Sequence, residues 1–564
     1  MAEHDTEPTQ QPADLEQGTY EILKTRLEGH AATLRERAES LNAERLEQFG
    51  GTEMAVVGNE RIRTENNCVP RDIRPVGELL LFGYNVFLGL RTETKVADVL
   101  SLHTFDADDA NQDGRFEFDP LPEDDPRNFL AGRDFLRDFE ELYRYYKDAR
   151  LLHLRRPEGK LLAVFQVGKT LDDVKVFRWA VSPDGEVTYI DNRGERDDVP
   201  PASHDFEWIE TTRDDHVLGR HPHVSILDKV FVETVGGDLT VKVEDNTEDG
   251  LGIYQEDVDE AHQSLADARI LFAEVGTLIL IKVLPYNETV WRHLVFNARR
   301  RTVDRIDAIG QACQLLPEDH GLVFPGGYYL QDGTRKTFDG DIADMEFLRA
   351  VRSPNGEDVL YVFHERRDGR TILLNYNLIR KEVQNPIFCN GWALFENGKL
   401  ALFRAASDEP TRVHPVQIWQ SAFVSDEFAA KAPTSDSFLA KVGNAELVRG
   451  ISDALSIHRS VTEQAPSVDG YEALIAQATR MADAYYWLAD DAIGNLAEPL
   501  GEVRKTADLI VGEFEKVQSI RKQARDAVAT ANEEVDTLFH RLRSEPQTEV
   551  DHFVVGLAEL RRQR

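Results

Sequence analysis

Cysteine is nearly absent: Cys68, Cys313 and Cys389 are the only three in 564 residues. They are far apart, odd in number and form no CxxC pair. That gives no support to a disulfide framework or a zinc–thiolate site, and reduced thiols in a cytoplasmic protein are expected instead. No apolar run approaches the length needed to cross a bilayer. The opening "MAEHDTEPTQQPADLEQ" lacks the apolar core of a signal peptide. Basic charge is scarce, with 65 Lys and Arg against 101 Asp and Glu, a formal charge of −36. Such a surface repels phosphate backbones. Non-specific nucleic-acid binding by the whole surface is disfavoured, although a local basic patch could still bind. A parallel βαβ series, the usual host of a nucleotide site, is also missing.

The chain is too long for one ordinary core, so two to four domains are expected. Residues 1–13 are polar and read as a disordered tail. Residues 14–50 run without proline, and Tyr20, Leu27, Leu34 and Leu41 recur every seven residues. That spacing predicts a coiled-coil helix with one apolar seam, stopped by "FGG" at 49–51. From 54 to 416, short alternating runs are separated by turns such as "SPDG" and "RRDG". These predict antiparallel hairpins, with a helical insert at about 127–148. Meandering strands must hide their edges, and a β-propeller-like array does so. Three segments echo one another loosely and read as degenerate blades: "VFRWAV…VTYIDNRGE", "RHLVFNARRRTVDRIDAIGQ" and "ILLNYNLIRKEVQNPIFCNG". From 425 to 564 the apolar spacing turns helical. One long segment there could pair with the N-terminal helix. The chain ends without an evident cap, which reads as a cut inside a longer polypeptide, with a natural terminus as the alternative. The expected fold is thus mainly β with α, a propeller-like array flanked by helical and coiled-coil segments.

Four motifs bear on chemistry. "DANQDGRFE" places Asp109, Asn111, Asp113 and Glu117 at positions 1, 3, 5 and 9 of a calcium-type loop. Position 12 is Pro120, so an EF-hand is excluded; a shorter calcium loop or a solvated acidic turn remains. "AVFQVGKT" ends in Gly168, Lys169 and Thr170, as a phosphate loop does. Its interior alternates like a strand, and "LDDVKVFRWAV" beyond it leads into another strand, so a hairpin turn is the better reading. His221 and His223 in "RHPHV", with His204 and His216 nearby in sequence, lack a defined third ligand for a metal. Arg61, Arg63, Arg71 and Arg74 cluster in an otherwise acidic chain. They could bind an anion or an acidic partner. The simpler reading is that they pair with the protein's own surplus carboxylates.

The segment carrying those arginines also carries a resemblance. "NNCVPRDIRPVGELLLFGYNVFLGLRTETKVADVLSLH" resembles the N-terminal region of large bacterial DNA repair ATPases. Those proteins join an uncharacterised region to a C-terminal AAA-type ATPase module. The resemblance implies that ATP and Mg²⁺ belong to a module beyond residue 564, and that no catalytic residue carries over to this chain. The resulting expectation is a non-catalytic recognition and scaffolding region of a cytoplasmic, bacterial ATPase. Its partners would be proteins or a second copy held through coiled-coil helices, with the ATPase module in cis or in trans. The alternative is a propeller enzyme with a metal-dependent or hydrolytic site in its central channel.

Overall fold

The computed structural model describes residues 12–51, 53–87, 93–106, 116–243, 252–405, 409–431, 436–463, 467–544 and 554. The chain is mainly β with helices. It divides into a helical unit, residues 1–48 with 437–564, and a β unit, residues 49–436.

Among the described residues, the β unit holds six antiparallel sheets. Sheet I joins Ala55–Val76 to Leu79–Val86 and Leu100–Thr104 on one side, and to Thr411–Gln420, Lys399–Phe403 and Gly391–Leu394 on the other. The first long strand of the unit therefore pairs with its last. The register runs from Ala55 opposite Gln420 to Arg63 opposite Val413. Sheet II is a simple meander of Arg150–Arg155, Lys160–Gln166, Val174–Val181 and Val187–Asp191. Sheet III, from His216–Val217 to Tyr254–Asp257, is inserted within sheet IV, between Ile209–Glu210 and Arg269–Val275. Sheet V spans Gln314–Leu315 to Arg335–Thr337, and sheet VI spans Glu346–Arg352 to Glu382–Val383.

The turns explain why these runs fold as hairpins. In "SPDG", Gly185 takes φ +83°, and in "RRDG", Gly369 takes φ +71°. A side chain at either position would be strained. Packing links the sheets through shared apolar clusters. Leu79 and Leu81 of sheet I meet Leu161, Phe165 and Trp179 of sheet II under the helix Arg133–Tyr145. Leu360 and Leu373 of sheet VI meet Trp392 and Leu402 of sheet I.

In the helical unit, Pro12–Phe49 buries Leu27, Ala31, Leu34, Ala38 and Leu41 along one stripe. The helix Ala497–Ser544 buries Leu500, Val503, Ala507 and Ile510 at matching three- and four-residue spacing. Arg37 meets Glu498 at 3.0 Å, and Tyr20 packs on Phe514 with ring centroids 6.3 Å apart. The helix Asn444–Glu463 carries Gly450, where an added Cβ would fall 2.5 Å from Cζ2 of the buried Trp487. Overpacking costs about 1–3 kcal/mol, more than the ~1 kcal/mol that alanine's helix propensity returns. Gly450→Ala is expected to lower stability by up to about 2 kcal/mol in urea unfolding followed by helical circular dichroism. An unchanged midpoint would mean that Trp487 shifts freely.

Candidate functional site

The strand Ala55–Val76 separates the four arginines singled out from the sequence. Arg61 and Arg63 lie on its exposed face, opposite Pro415 and Val413. Arg71 and Arg74 turn inward. A bulge between Pro70 and Asp72 takes Arg71 out of the ladder with Leu79–Val86. Arg71 is only 3% exposed. Its Nε donates to the carbonyls of Leu151 (2.8 Å) and Leu152 (3.1 Å), and its Nη2 to those of Arg366 and Arg367 (both 2.6 Å). One guanidinium thus ties sheet I to the first strand of sheet II and to a turn of sheet VI. Burial lowers its pKa to about 10, against the pull of Glu365, Asp368 and Asp72, so it stays charged at neutral pH. Arg74 donates to the carbonyls of Leu154 and Trp392, both at 2.9 Å, and pairs with Asp72 at 3.2 Å.

Beside these staples lies a cavity of about 40 Å³, where sheets I, II and VI meet. Arg74, His153, Arg155, Asp198, Glu346, His364 and Arg366 supply its polar lining. A second bulge aims His153. Leu151 pairs with Phe165, yet His153 pairs with Val164, so Leu152 is the extra residue. Leu151 and Leu154 then share the helix-covered apolar face, and His153 is turned off it. Its Nε2 meets Asp198 at 3.3 Å, and Arg155 Nη1 donates to the same carboxylate oxygen at 2.7 Å. Burial raises the Asp198 pKa, but the hydrogen bonds and charges of His153 and Arg155 outweigh it and hold the carboxyl well below its usual range. His364 stands across from His153, ring centroids 6.1 Å apart, with Nδ1 2.9 Å from the Thr371 hydroxyl. Burial pushes His364 well below the ordinary imidazole value, and His153, Arg71, Arg74 and Arg366 push the same way. His364 is therefore neutral.

The lining can donate and accept hydrogen bonds, and the His153–Asp198 pair can hold or move a proton. It contains no Ser, Thr, Cys, Lys or Tyr, and its groups of nucleophilic type are carboxylates and imidazoles. Among the described residues, no group of three or more His, Cys, Asp or Glu is placed to hold a metal ion.

The other sequence motifs fall elsewhere. Gly168, Lys169 and Thr170 form the turn between the antiparallel strands Lys160–Gln166 and Val174–Val181. The Thr170 N–H donates to Asp173 at 3.0 Å, and a strand stands next where a phosphate loop needs a helix. Asp109, Asn111 and Asp113 lie outside the described residues; Glu117 is exposed just beyond them. His223 rests on the His221 carbonyl, His216 pairs with Val224, and His204 bonds the Ile309 carbonyl. His204 thus lies apart from the other three. Sequence reasoning passed over His153 and His364. The available signal was a histidine inside an apolar run, "RLLHLR" and "VLYVFHE".

Among solved structures, a virginiamycin B lyase from Staphylococcus aureus is 9% identical, covering 65% of this chain and 99% of that one, with a TM-score of 0.21. The Dos1 propeller is 9% identical, covering 66% and 96%, with a TM-score of 0.23. At such scores neither likeness carries an argument. No curated protein matches the chain. No helix among the described residues is long and apolar enough to cross a membrane. Residues 33–486 match one family across both units, and the chain belongs to it: DUF3686, whose description is "ATPase involved in DNA repair".

Proposed function

We propose that this chain is a recognition and scaffolding region of a DNA-repair-type ATPase, with ATP hydrolysis carried by a module in cis or in trans. The observation that carries the reading is the pairing of Ala55–Val76 with Thr411–Gln420. Joining first strand to last hides two sheet edges and supports a closed, propeller-like array. Arg71 and Arg74 hold three of its sheets together through backbone carbonyls, which favours a rigid platform. The helices would carry protein partners or self-association. Direct contact of DNA with the surface at large is disfavoured by the charge of −36. The three cysteines, free and buried, fit a cytoplasmic setting.

Calorimetric titration of the purified chain with ATP–Mg²⁺ tests the reading. No saturable heat is expected from wild type or from Lys169→Ala. The exposed turn should leave the two stabilities within about 0.5 kcal/mol of each other. ATP binding abolished by Lys169→Ala would restore the phosphate-loop reading. ATP binding indifferent to that substitution would place a nucleotide site elsewhere in the chain. Either result ends the non-catalytic reading.

A further inference from the structure

Sheet IV turns between Arg292–Asn297 and Thr302–Arg305 on the sequence "NARRRT", three consecutive arginines in a chain of charge −36. The fully buried Asn297 fixes that turn. Its Oδ1 accepts from the N–H groups of Arg299 (3.1 Å) and Arg300 (3.2 Å), and its carbonyl accepts from the Arg301 N–H (2.8 Å). Its Nδ2 donates to the Gln331 carbonyl in sheet V at 3.0 Å, which ties the two neighbouring turns together. The Arg300 side chain lies across the turn of sheet V. A Cβ added to Gly333 would fall 2.5 Å from its Cδ and 2.9 Å from its Nε.

The frame of this turn does not itself require arginine. Sheet VI repeats it: Asn377 Oδ1 accepts from the N–H groups of Ile379 (3.1 Å) and Arg380 (2.9 Å). Lys381 there takes φ +53°, as Arg301 does in sheet IV. In sheet VI, however, Ile379 is buried and Arg380 pairs with Glu53 at 3.4 Å. The corresponding Arg299 and Arg300 of sheet IV are exposed, and neither side chain has a hydrogen bond or ion pair among the described residues. The same backbone thus carries two unmatched positive charges in one sheet and a buried apolar group with a matched charge in the other.

Arg300, Arg301 and Arg335 line one open, mainly polar groove of about 520 Å³ between the turns of sheets IV and V. Arg335 is held in place from below. The buried Tyr329 donates its hydroxyl to Asp304 at 3.1 Å, and Asp304 accepts from Arg335 Nη1 at 2.8 Å. Asp304 is the one carboxylate among the described residues of the lining, set against three guanidiniums. The groove is therefore locally positive on a strongly negative protein. The whole fork of Arg300 and the remaining N–H groups of Arg335 are left to donate.

A guanidinium fork matches the paired oxygens of a phosphate, and arginines delivered by two separate turns can hold successive phosphates of one strand. A single strand has a lower charge density than a duplex and bends into a groove, so it meets less of the surrounding acidic surface. A duplex would lay a stiff, more highly charged rod against that surface. We propose that the groove between the turns of sheets IV and V binds the phosphodiester backbone of a single nucleic-acid strand, with Arg300 and Arg335 as its phosphate contacts. The choice of a phosphodiester over the carboxylates of an acidic peptide rests on reading the chain as part of a DNA-repair-type ATPase. Its test is separate from the ATP titration. A strand that fails to bind, while ATP–Mg²⁺ also gives no heat, overturns this site and leaves the scaffolding reading standing.

The test is fluorescence anisotropy of a labelled thymidine oligomer of about 20 nucleotides, titrated with the full chain at low salt. Saturable binding is expected, and it should weaken as salt rises. Each arginine on a single-strand phosphate contributes about 0.7 to the slope of log affinity against log salt. Arg300→Gln should lower the slope by about that much and weaken binding about tenfold. Arg335→Gln should act in the same direction. Arg300 and Arg335 are exposed, so both variants are expected to fold. Arg380→Gln, in the matching turn of sheet VI, should stay within about twofold of wild type. A duplex of the same length should bind more weakly than the strand. The proposal is overturned by no saturable binding, by wild-type affinity in both Arg300→Gln and Arg335→Gln, or by a duplex that binds more tightly. A polyglutamate peptide that displaces the strand at equal charge concentration would also overturn it, in favour of an acidic protein partner.

Discussion

Replacing Arg71 by methionine is expected to destabilise the β unit by about 4 kcal/mol. Methionine keeps much of the aliphatic length, so packing is largely retained. The substitution removes a guanidinium that satisfies four backbone carbonyls in two other sheets. A hydrogen bond from a charged donor is worth about 1.5–3 kcal/mol, and a buried acceptor left bare costs about 1–3 kcal/mol. The four do not add fully, because the turn holding Arg366 and Arg367 can relax toward solvent. Arg71→Lys keeps the charge but loses the planar fork that reaches both sides, and should recover less than half of the loss. Arg61→Ala, on the exposed face of the same strand, should stay within about 0.5 kcal/mol of wild type. Urea midpoints of the three variants, read by tryptophan fluorescence, check this. An Arg71→Met protein within 1 kcal/mol of wild type, or full rescue by lysine, would show that the carbonyls find other partners at little cost.

That geometry also marks where sequence reading stops. The pairing partners of an arginine are legible when they are carboxylates, since those have letters. Arg71 chose backbone carbonyls 80 to 296 positions away, and a carbonyl has no letter. Local structure is far more readable. "VKVFRWAVSPDGEVTYIDNRG" folds as the hairpin its alternation and its "DG" turn predict, Val174–Val181 against Val187–Asp191. The three echoing segments occupy one position in three sheets: the outer hairpins of sheets II, IV and VI. The union of Ala55–Val76 with Thr411–Gln420, and the insertion of sheet III within sheet IV, leave no such local trace. The candidate site is hidden for a related reason. His153 faces the cavity only because Leu152 is a bulge, and strict alternation would have placed it on the face shared by Leu151.

Acid should unfold the β unit earlier than its carboxylates alone would dictate, because several buried histidines have lowered pKa values in the fold, His293 and His414 among them. Burial is the main cause that lowers His293 to about 4; Lys282, His204 and Arg305 push the same way, against the pull of Asp307. Neither of its ring nitrogens has a hydrogen bond among the described residues, and Asp307 stands 4.0 Å away. Burial likewise lowers His414 to about 4. Its Nε2 sits 3.2 Å from both Cys68 Sγ and Thr64 Oγ1, and its ring tilts against Tyr84. An unfolded imidazole titrates near about 6.5. Between about 6.5 and about 4 the unfolded chain binds more protons than the folded one, so stability falls as pH falls. The contribution is whole above about 6.5 and is lost progressively toward about 4, roughly 2 kcal/mol per histidine by pH 5. The surplus of negative charge acts the other way, since protonating carboxylates relieves self-repulsion as pH drops. The sign of the effect therefore separates the two causes. Urea unfolding at pH 7.5 and pH 5 should show a loss in wild type. The double variant His293→Leu, His414→Gln should remove about 4 kcal/mol of that difference while keeping an acceptor near Cys68. An identical pH dependence in the double variant would mean that both rings are already protonated in the fold at pH 5, or that both escape burial.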